Sequence, residues 1–231
     1  PTTFLLSLFS AASEMWNMEA RGSWSKDIAC VAFSPDGRLL AAGGGKRTVK
    51  LWDVATQQVV HTFTECENDV YTLAFSPDGK LLFGGGRGIG LMVWDLENRR
   101  FIEQHAKPSS VTRDFSISPD GRLLAVAADG GRIALWNMEN MECISVLREH
   151  IGGVNSVDFH PDGRVLASAG NDTSVKLWDI KTGECLLTLR EHESDVESVV
   201  FSPDGKLLVS GSRDCTFRIW KLGQALKPFE L

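Results

Sequence analysis

The sequence predicts an all-β chain built from repeated four-stranded antiparallel sheets, and three observations predict it. A Ser-Pro-Asp-Gly turn at Ser34 returns at Ser76, Ser118 and Ser202, and as His160-Pro161-Asp162-Gly163, always at a spacing of 42 residues. A tryptophan follows each turn at one interval, at Trp52, Trp94, Trp136, Trp178 and Trp220. Between these markers the apolar residues alternate with period two, the signature of half-buried strands rather than helices. Five units of 42 residues account for 210 of the 231 residues, so the repeat is the fold.

Each unit reads in the same order. An alternating run such as Val31-Ala32-Phe33, Leu73-Ala74-Phe75, Val157-Asp158-Phe159 or Val199-Val200-Phe201 gives the first strand. Proline then fixes φ at the first corner of a type I turn, and glycine takes the left-handed conformation that closes the hairpin. Leu39-Leu40-Ala41-Ala42 and its equivalents form the second strand, and Val49-Lys50-Leu51-Trp52, Ile133-Ala134-Leu135-Trp136 or Val175-Lys176-Leu177-Trp178 the third. A fourth follows, as in Glu184-Cys185-Leu186-Leu187-Thr188-Leu189. A lone meander cannot bury both faces, so like meanders must stack radially, which is a β-propeller.

The N-terminal stretch breaks the register. Phe4 to Trp16-Asn17-Met18-Glu19 echoes Trp136-Asn137-Met138-Glu139, yet Trp16 lies 18 residues before Ser34 where every later tryptophan lies 24 before its next turn. The expected organisation is therefore one domain over 1–231, with a partial unit at 1–23 and repeats at about 24–65, 66–107, 108–149, 150–191 and 192–231. The Trp16 segment is expected beside the last unit. The apolar run Phe4–Ala12 is read as a core strand rather than a signal remnant, because no basic residues precede it. Seven units at this period would need 294 residues, so either the ring is small, or the chain is a piece of a longer one, or a second copy helps to close the ring.

Composition narrows the function classes. Asp plus Glu outnumber Lys plus Arg by 30 to 24, giving a net charge of -6, which speaks against a nucleic-acid coat. The five cysteines form no C-x-x-C pair and fit a reducing intracellular compartment, cytoplasmic or nuclear. No apolar run reaches the roughly 20 residues of a membrane span.

Units ending in Trp52-Asp53, Trp94-Asp95 and Trp178-Asp179, with His150 and His192 each 28 residues before their tryptophan, resemble the WD40 repeat. The resemblance covers all five units and implies a propeller that binds proteins or peptides without catalysis. It departs from the family where Gly-His is Glu149-His150 and Glu191-His192, where Trp24, Cys66 and Pro108 replace the histidine, and in Trp136-Asn137 and Trp220-Lys221.

Several residue sets invite other chemistry. His150, Ser168 and Asp172, repeated as His192, Ser210 and Asp214, form the inventory of a nucleophilic hydrolase. No G-x-S-x-G surrounds either serine. The resemblance implies a structural chain instead, from Trp178 or Trp220 through serine and histidine to aspartate. Gly43-Gly44-Gly45-Lys46-Arg47-Thr48 and Gly84-Gly85-Gly86-Arg87-Gly88 lack the P-loop pattern and a following helix, and are expected at tight second-to-third-strand corners. His61, His105 and His160 are solitary and Cys143 and Cys185 lie on equivalent strands, so no metal site, cofactor or catalytic residue is expected.

The resemblance also implies a partner-binding face at three positions per unit. These are Asp27, Ala29 and Gly45; Asp69, Tyr71 and Arg87; Val111, Arg113 and Asp129; Gly153, Asn155 and Asn171; and Asp195, Glu197 and Arg213. The alternatives are a propeller enzyme acting across the central channel and a phosphate or nucleic-acid binder using Lys46, Arg47, Arg87 and Arg213. No membrane partner is expected, and a second copy is a candidate partner if the ring is incomplete.

Overall fold

The computed structural model describes residues 28–45, 47–105 and 111–222. The partial unit at 1–23, Trp16, Asp27 and Lys46 lie outside them. Blade 1 contains β1 (Ile28–Phe33), β2 (Leu39–Gly44), β3 (Val49–Asp53) and β4 (Gln58–Phe63). Blade 2 contains β5 (Val70–Phe75), β6 (Leu81–Gly86), β7 (Ile89–Asp95) and β8 (Arg100–His105), and blade 3 β9 (Thr112–Ile117), β10 (Leu123–Ala128), β11 (Arg132–Asn137) and β12 (Glu142–Arg148). Blade 4 contains β13 (Val154–Phe159), β14 (Val165–Gly170), β15 (Val175–Asp179) and β16 (Cys185–Leu189), and blade 5 β17 (Val196–Phe201), β18 (Leu207–Ser212) and β19 (Phe217–Lys221). Each blade is an antiparallel meander in chain order, the fifth having three strands among the described residues. The described residues contain no helix.

The recurring turn explains why the hairpins close alike. Ser34 Oγ donates to Asp36 Oδ1 at 2.6 Å while accepting the Leu39 N–H at 2.8 Å, and Asp36 Oδ1 also accepts the Arg38 N–H at 3.0 Å. Gly37 sits at φ 70°, where a side chain would be strained. The same bonds recur at Ser76, Ser118 and Ser202. In blade 4 His160 takes the serine's place, pairing through Nδ1 with Asp162 and through Nε2 with the Gly205 carbonyl at 3.0 Å, which ties this turn to the next blade's.

The core lies between blades. Ala41, Val49, Leu51 and Phe63 of blade 1 pack on Leu73, Phe75, Leu82 and Trp94 of blade 2, and three further clusters join blades 2 to 3, 3 to 4 and 4 to 5. Among the described residues five blades thus share four interfaces. Among the described residues, no core cluster joins blade 5 to blade 1.

The glycine clusters correct one expectation. Gly43 and Gly44 are inside β2, and Gly84, Gly85 and Gly86 inside β6, rather than at the corners. The reason is close packing. A Cβ on Gly84 would collide with the six-membered ring of Trp94, one on Gly85 with Thr112 and Phe115, and one on Gly86 with the Asp69 carbonyl.

Candidate interaction surface and buried networks

At one end of each blade the start of the innermost strand meets the turn between its second and third strands, because an antiparallel meander returns there. The backbone N–H of Arg87 donates to the Asp69 carbonyl, Asp129 to Val111, Asn171 to Gly153, and Arg213 to Asp195, at 2.9 to 3.3 Å. In blades 2 to 5, therefore, the expected three positions are neighbours. Of the blade 1 set, Ala29 is exposed and Gly45 half-buried, while Asp27 lies outside the described residues.

The side chains at these positions pair across the hairpin. Arg113 Nε lies 2.6 Å from Asp129 Oδ1, and Arg213 bridges Glu197 Oε1 at 2.6 Å and Asp195 Oδ2 at 3.5 Å. Asn155 Nδ2 donates to Asn171 Oδ1 at 2.6 Å and to the Val196 carbonyl at 2.9 Å. Asn155 is consequently buried, while Tyr71, Arg87, Glu197 and Arg213 are exposed. Gly153 leaves room for its neighbour: a Cβ there would lie 2.8 Å from Asp129 Oδ1 and 3.3 Å from Arg113 Nε, so the surfaces of blades 3 and 4 are continuous. Sequence reasoning missed Ile151, which is 81% exposed beside Gly152 and Gly153 at this end. Its signal was a large apolar residue where the fifth unit has Glu193.

The two His-Ser-Asp sets form buried chains. Trp178 Nε1 donates to Ser168 Oγ at 2.8 Å, His150 Nε2 lies 2.7 Å from that hydroxyl, and His150 Nδ1 lies 2.9 Å from Asp172 Oδ1. Blade 5 repeats the chain through Trp220, Ser210, His192 and Asp214 at 2.8 to 2.9 Å. With its Nδ1 proton aimed at aspartate, each histidine accepts the serine hydroxyl at Nε2. Burial alone would raise the Asp172 carboxyl, but bonds from His150, Ser174 and the Ile151 N–H outweigh it and hold it well below the carboxylate range. The Thr216 hydroxyl, with His192 and the Glu193 N–H, does the same for Asp214. Ser168 and Ser210 are fully buried, so a substrate cannot reach either hydroxyl.

Blades 1 to 3 solve the same position without serine, through Ala42, Gly84 and Val126. In blade 2 the Trp94 ring fills the space above Gly84, and its Nε1 has no partner among the described residues.

A second pair of carboxylates escaped the sequence reading. Burial pushes the Asp114 carboxyl up, against the N–H of Val157 and the Ser156 hydroxyl, and Asp158 behaves likewise against the N–H of Phe201. Both sit between innermost strands of successive blades. Burial also drives the Cys30 and Cys66 thiols up to about 12, which removes them as nucleophiles. At the opposite end, a cleft of about 600 Å³ between blades 2 and 3 is lined by Asp78, Asp120, Arg122 and Glu139. Asp78 and Asp120 are held there by their turn bonds.

Residues 18–53, 57–95, 97–137, 141–179 and 183–221 each match the family model described as WD domain, G-beta repeat. Among curated proteins, the chain is 58% identical over 38 residues to Protein Mut11 of Chlamydomonas reinhardtii, covering 16% of this chain and 10% of that protein. It is 51% identical over 35 residues to the Notchless protein homolog of Arabidopsis thaliana, covering 15% and 7%. It is 34% identical over 61 residues to the general transcriptional corepressor TUP1 of Saccharomyces cerevisiae, covering 26% and 9%. The matched stretches span a tenth or less of these relatives' lengths. No helix among the described residues is long and apolar enough to cross a membrane.

Proposed function

The chain belongs to the WD40 family, and on that premise we propose that it is a non-catalytic protein-interaction scaffold whose docking surface is the end carrying the paired side chains of blades 2 to 5. One observation carries this reading. Four equivalent backbone bonds hold the three positions of each blade in one geometry, while their side chains differ from blade to blade: Tyr71 and Arg87, Arg113 and Asp129, Asn155 and Asn171, Glu197 and Arg213. A constant frame presenting variable chemistry is how a repeat fold specialises a surface. Tyr71 and Arg87 are exposed and of the residue types that dominate interface energetics. Ile151 adds an apolar contact at the same end.

The competing classes find less support. An enzyme needs a reachable nucleophile, and both candidate serines are spent on tryptophan and histidine in the interior. A phosphate binder needs unpaired cations, yet Arg213, one of the four basic residues named for it, is already engaged by Glu197 and Asp195. Five free thiols suit an intracellular, cytoplasmic or nuclear setting. The test is capture from a cell extract by the immobilised chain, compared with a Tyr71→Ala/Arg87→Glu variant. Loss of the specific captured proteins at unchanged melting temperature supports the scaffold reading, and full retention removes this surface from it.

A further inference from the structure

Cys143 and Cys185 stand at the same position of blades 3 and 4, and the two blades give them different surroundings. In both outer strands one residue bulges, Ile144 in β12 and Leu186 in β16, where the register slips between the third strand and the fourth. A bulge inserts one residue and so turns the side chains beyond it to the other face. Without it Cys185 and Thr188, three residues apart, would point to opposite sides of the sheet. With it they meet, and Cys185 Sγ lies 3.6 Å from Thr188 Oγ1. Thr188 is the cross-strand partner of Lys176, whose Nζ donates to the same hydroxyl at 3.0 Å and lies 3.6 Å from Glu149 Oε2. The Lys176 side chain is buried, whereas Glu149 reaches solvent. Blade 3 keeps the cysteine and its bulge but has Ala134 and Val146 where blade 4 has Lys176 and Thr188.

We propose that Cys185 and Lys176 are a redox-sensitive pair, which hydrogen peroxide converts into a covalent sulfur–nitrogen cross-link between β16 and β15. Peroxide oxidises the thiol by two electrons: Sγ takes one peroxide oxygen, the O–O bond breaks, and the other oxygen leaves as water. The Lys176 ammonium then yields a proton to the Glu149 carboxylate, and the neutral Nζ attacks the sulfenic sulfur. The S–N bond forms, the S–OH bond breaks, and the hydroxyl leaves as water with a second proton from the nitrogen. Glu149 returns its proton to solvent. Burial holds the Cys185 thiol above the usual thiol range, against the Thr188 hydroxyl and the Lys176 ammonium, so the first step is slow. Once made, the sulfenic acid has an amine held beside it by Thr188, and that proximity favours the cross-link over further oxidation. The product neutralises Lys176 and staples the outer hairpin of blade 4 until a thiol reduces it.

Treatment of the full chain with excess hydrogen peroxide, followed by trypsin digestion and peptide mass spectrometry, tests the proposal. The expected product joins the Lys176 and Cys185 peptides, two hydrogens lighter than their sum, with no cleavage after Lys176. Cys143, which has no amine at the equivalent place, is expected as sulfinic or sulfonic acid and unlinked. Dithiothreitol should restore cleavage after Lys176 and release the two peptides. Lys176→Arg keeps the cation and, with far-UV circular dichroism as the folding control, should lose the link while Cys185 goes on to sulfinic acid. A parent chain whose Cys185 stays a thiol, or reaches sulfinic acid with Lys176 still cleaved, overturns the proposal. A link that forms equally well in urea overturns it too, since the folded arrangement would then contribute nothing.

Discussion

Asp114 Oδ2 on β9 accepts the backbone N–H of Val157 on β13 at 3.1 Å, so one blade supplies the acceptor that the next blade's innermost strand lacks. That strand has one edge without a ladder partner, and a buried N–H left alone is costly. The device recurs from Ser116 to Phe159, from Ser156 to Val199 and from Asp158 to Phe201. Side chains thus stitch the blades together at the centre of the arc.

Where the acceptor is a carboxylate, the stitch carries a pH dependence. Burial raises the folded-state pKa of Asp114 and Asp158, so their ionised forms weigh against folding. That cost is absent below the unfolded value of about 3.9 and grows as pH rises through the folded values. Asp158→Asn keeps a carbonyl for the Phe201 N–H and removes the charge. Its gain in melting temperature over the parent is expected to be larger at pH 8 than at pH 4, and a loss that deepens toward pH 8 would reject the assignment.

The opposite sign holds for the lowered carboxyls. Asp172 and Asp214, and the turn residues Asp36, Asp78, Asp120 and Asp204, are held down by hydrogen bonds to their ionised forms. Their contribution is complete above the unfolded value of about 3.9 and is lost as pH falls through the folded values. Thermal scans between pH 5 and pH 2 should show a steep acid limb, shallower in Asp172→Asn. Equal limbs in the two proteins would count against it.

The buried chain in blade 4 predicts a stability effect without a catalytic one. His150→Ala leaves Ser168 and Asp172 each short of a partner and should cost roughly 1–3 kcal/mol in urea unfolding. A fluorophosphonate probe should label neither Ser168 nor Ser210 in the native protein, since both are fully buried. Labelling of either serine that disappears in His150→Ala or His192→Ala would restore the hydrolase reading.

Much of this was legible because it repeats. The turns, the tryptophans and both His-Ser-Asp chains recur at one spacing, and a period of 42 residues forces equivalent positions. Asp114 and Asp158 were not legible, because they stand at different positions of their strands and their acceptor role depends on the neighbouring blade. The glycines of β6 were misplaced for a related reason: the Trp94 ring that needs the space above Gly84 lies on another strand. The pairing of Arg113 with Asp129 was hidden in a spacing of 16 residues that also joins Asn155 to Asn171 and Glu197 to Arg213.

Gly84 gives a direct check on that packing. Gly84→Ala places a methyl group against the Trp94 ring and should destabilise by about 1–3 kcal/mol. Gly37→Ala meets no neighbour, so its smaller cost comes from its positive φ alone. A Gly84→Ala protein as stable as the parent would show that the Trp94 ring can move aside.

The proposed docking surface is tested most directly by site-specific photo-crosslinking. A photoreactive residue is placed at Tyr71 or Arg87 at the paired end, or at Asp120 in the cleft at the opposite end, and adducts formed in a cell extract are compared. The account predicts discrete protein adducts from positions 71 and 87, lost when Arg113 and Arg213 are reversed to Glu at unchanged melting temperature. Adducts from position 120 with none from 71 or 87, or adducts indifferent to those reversals, would contradict it.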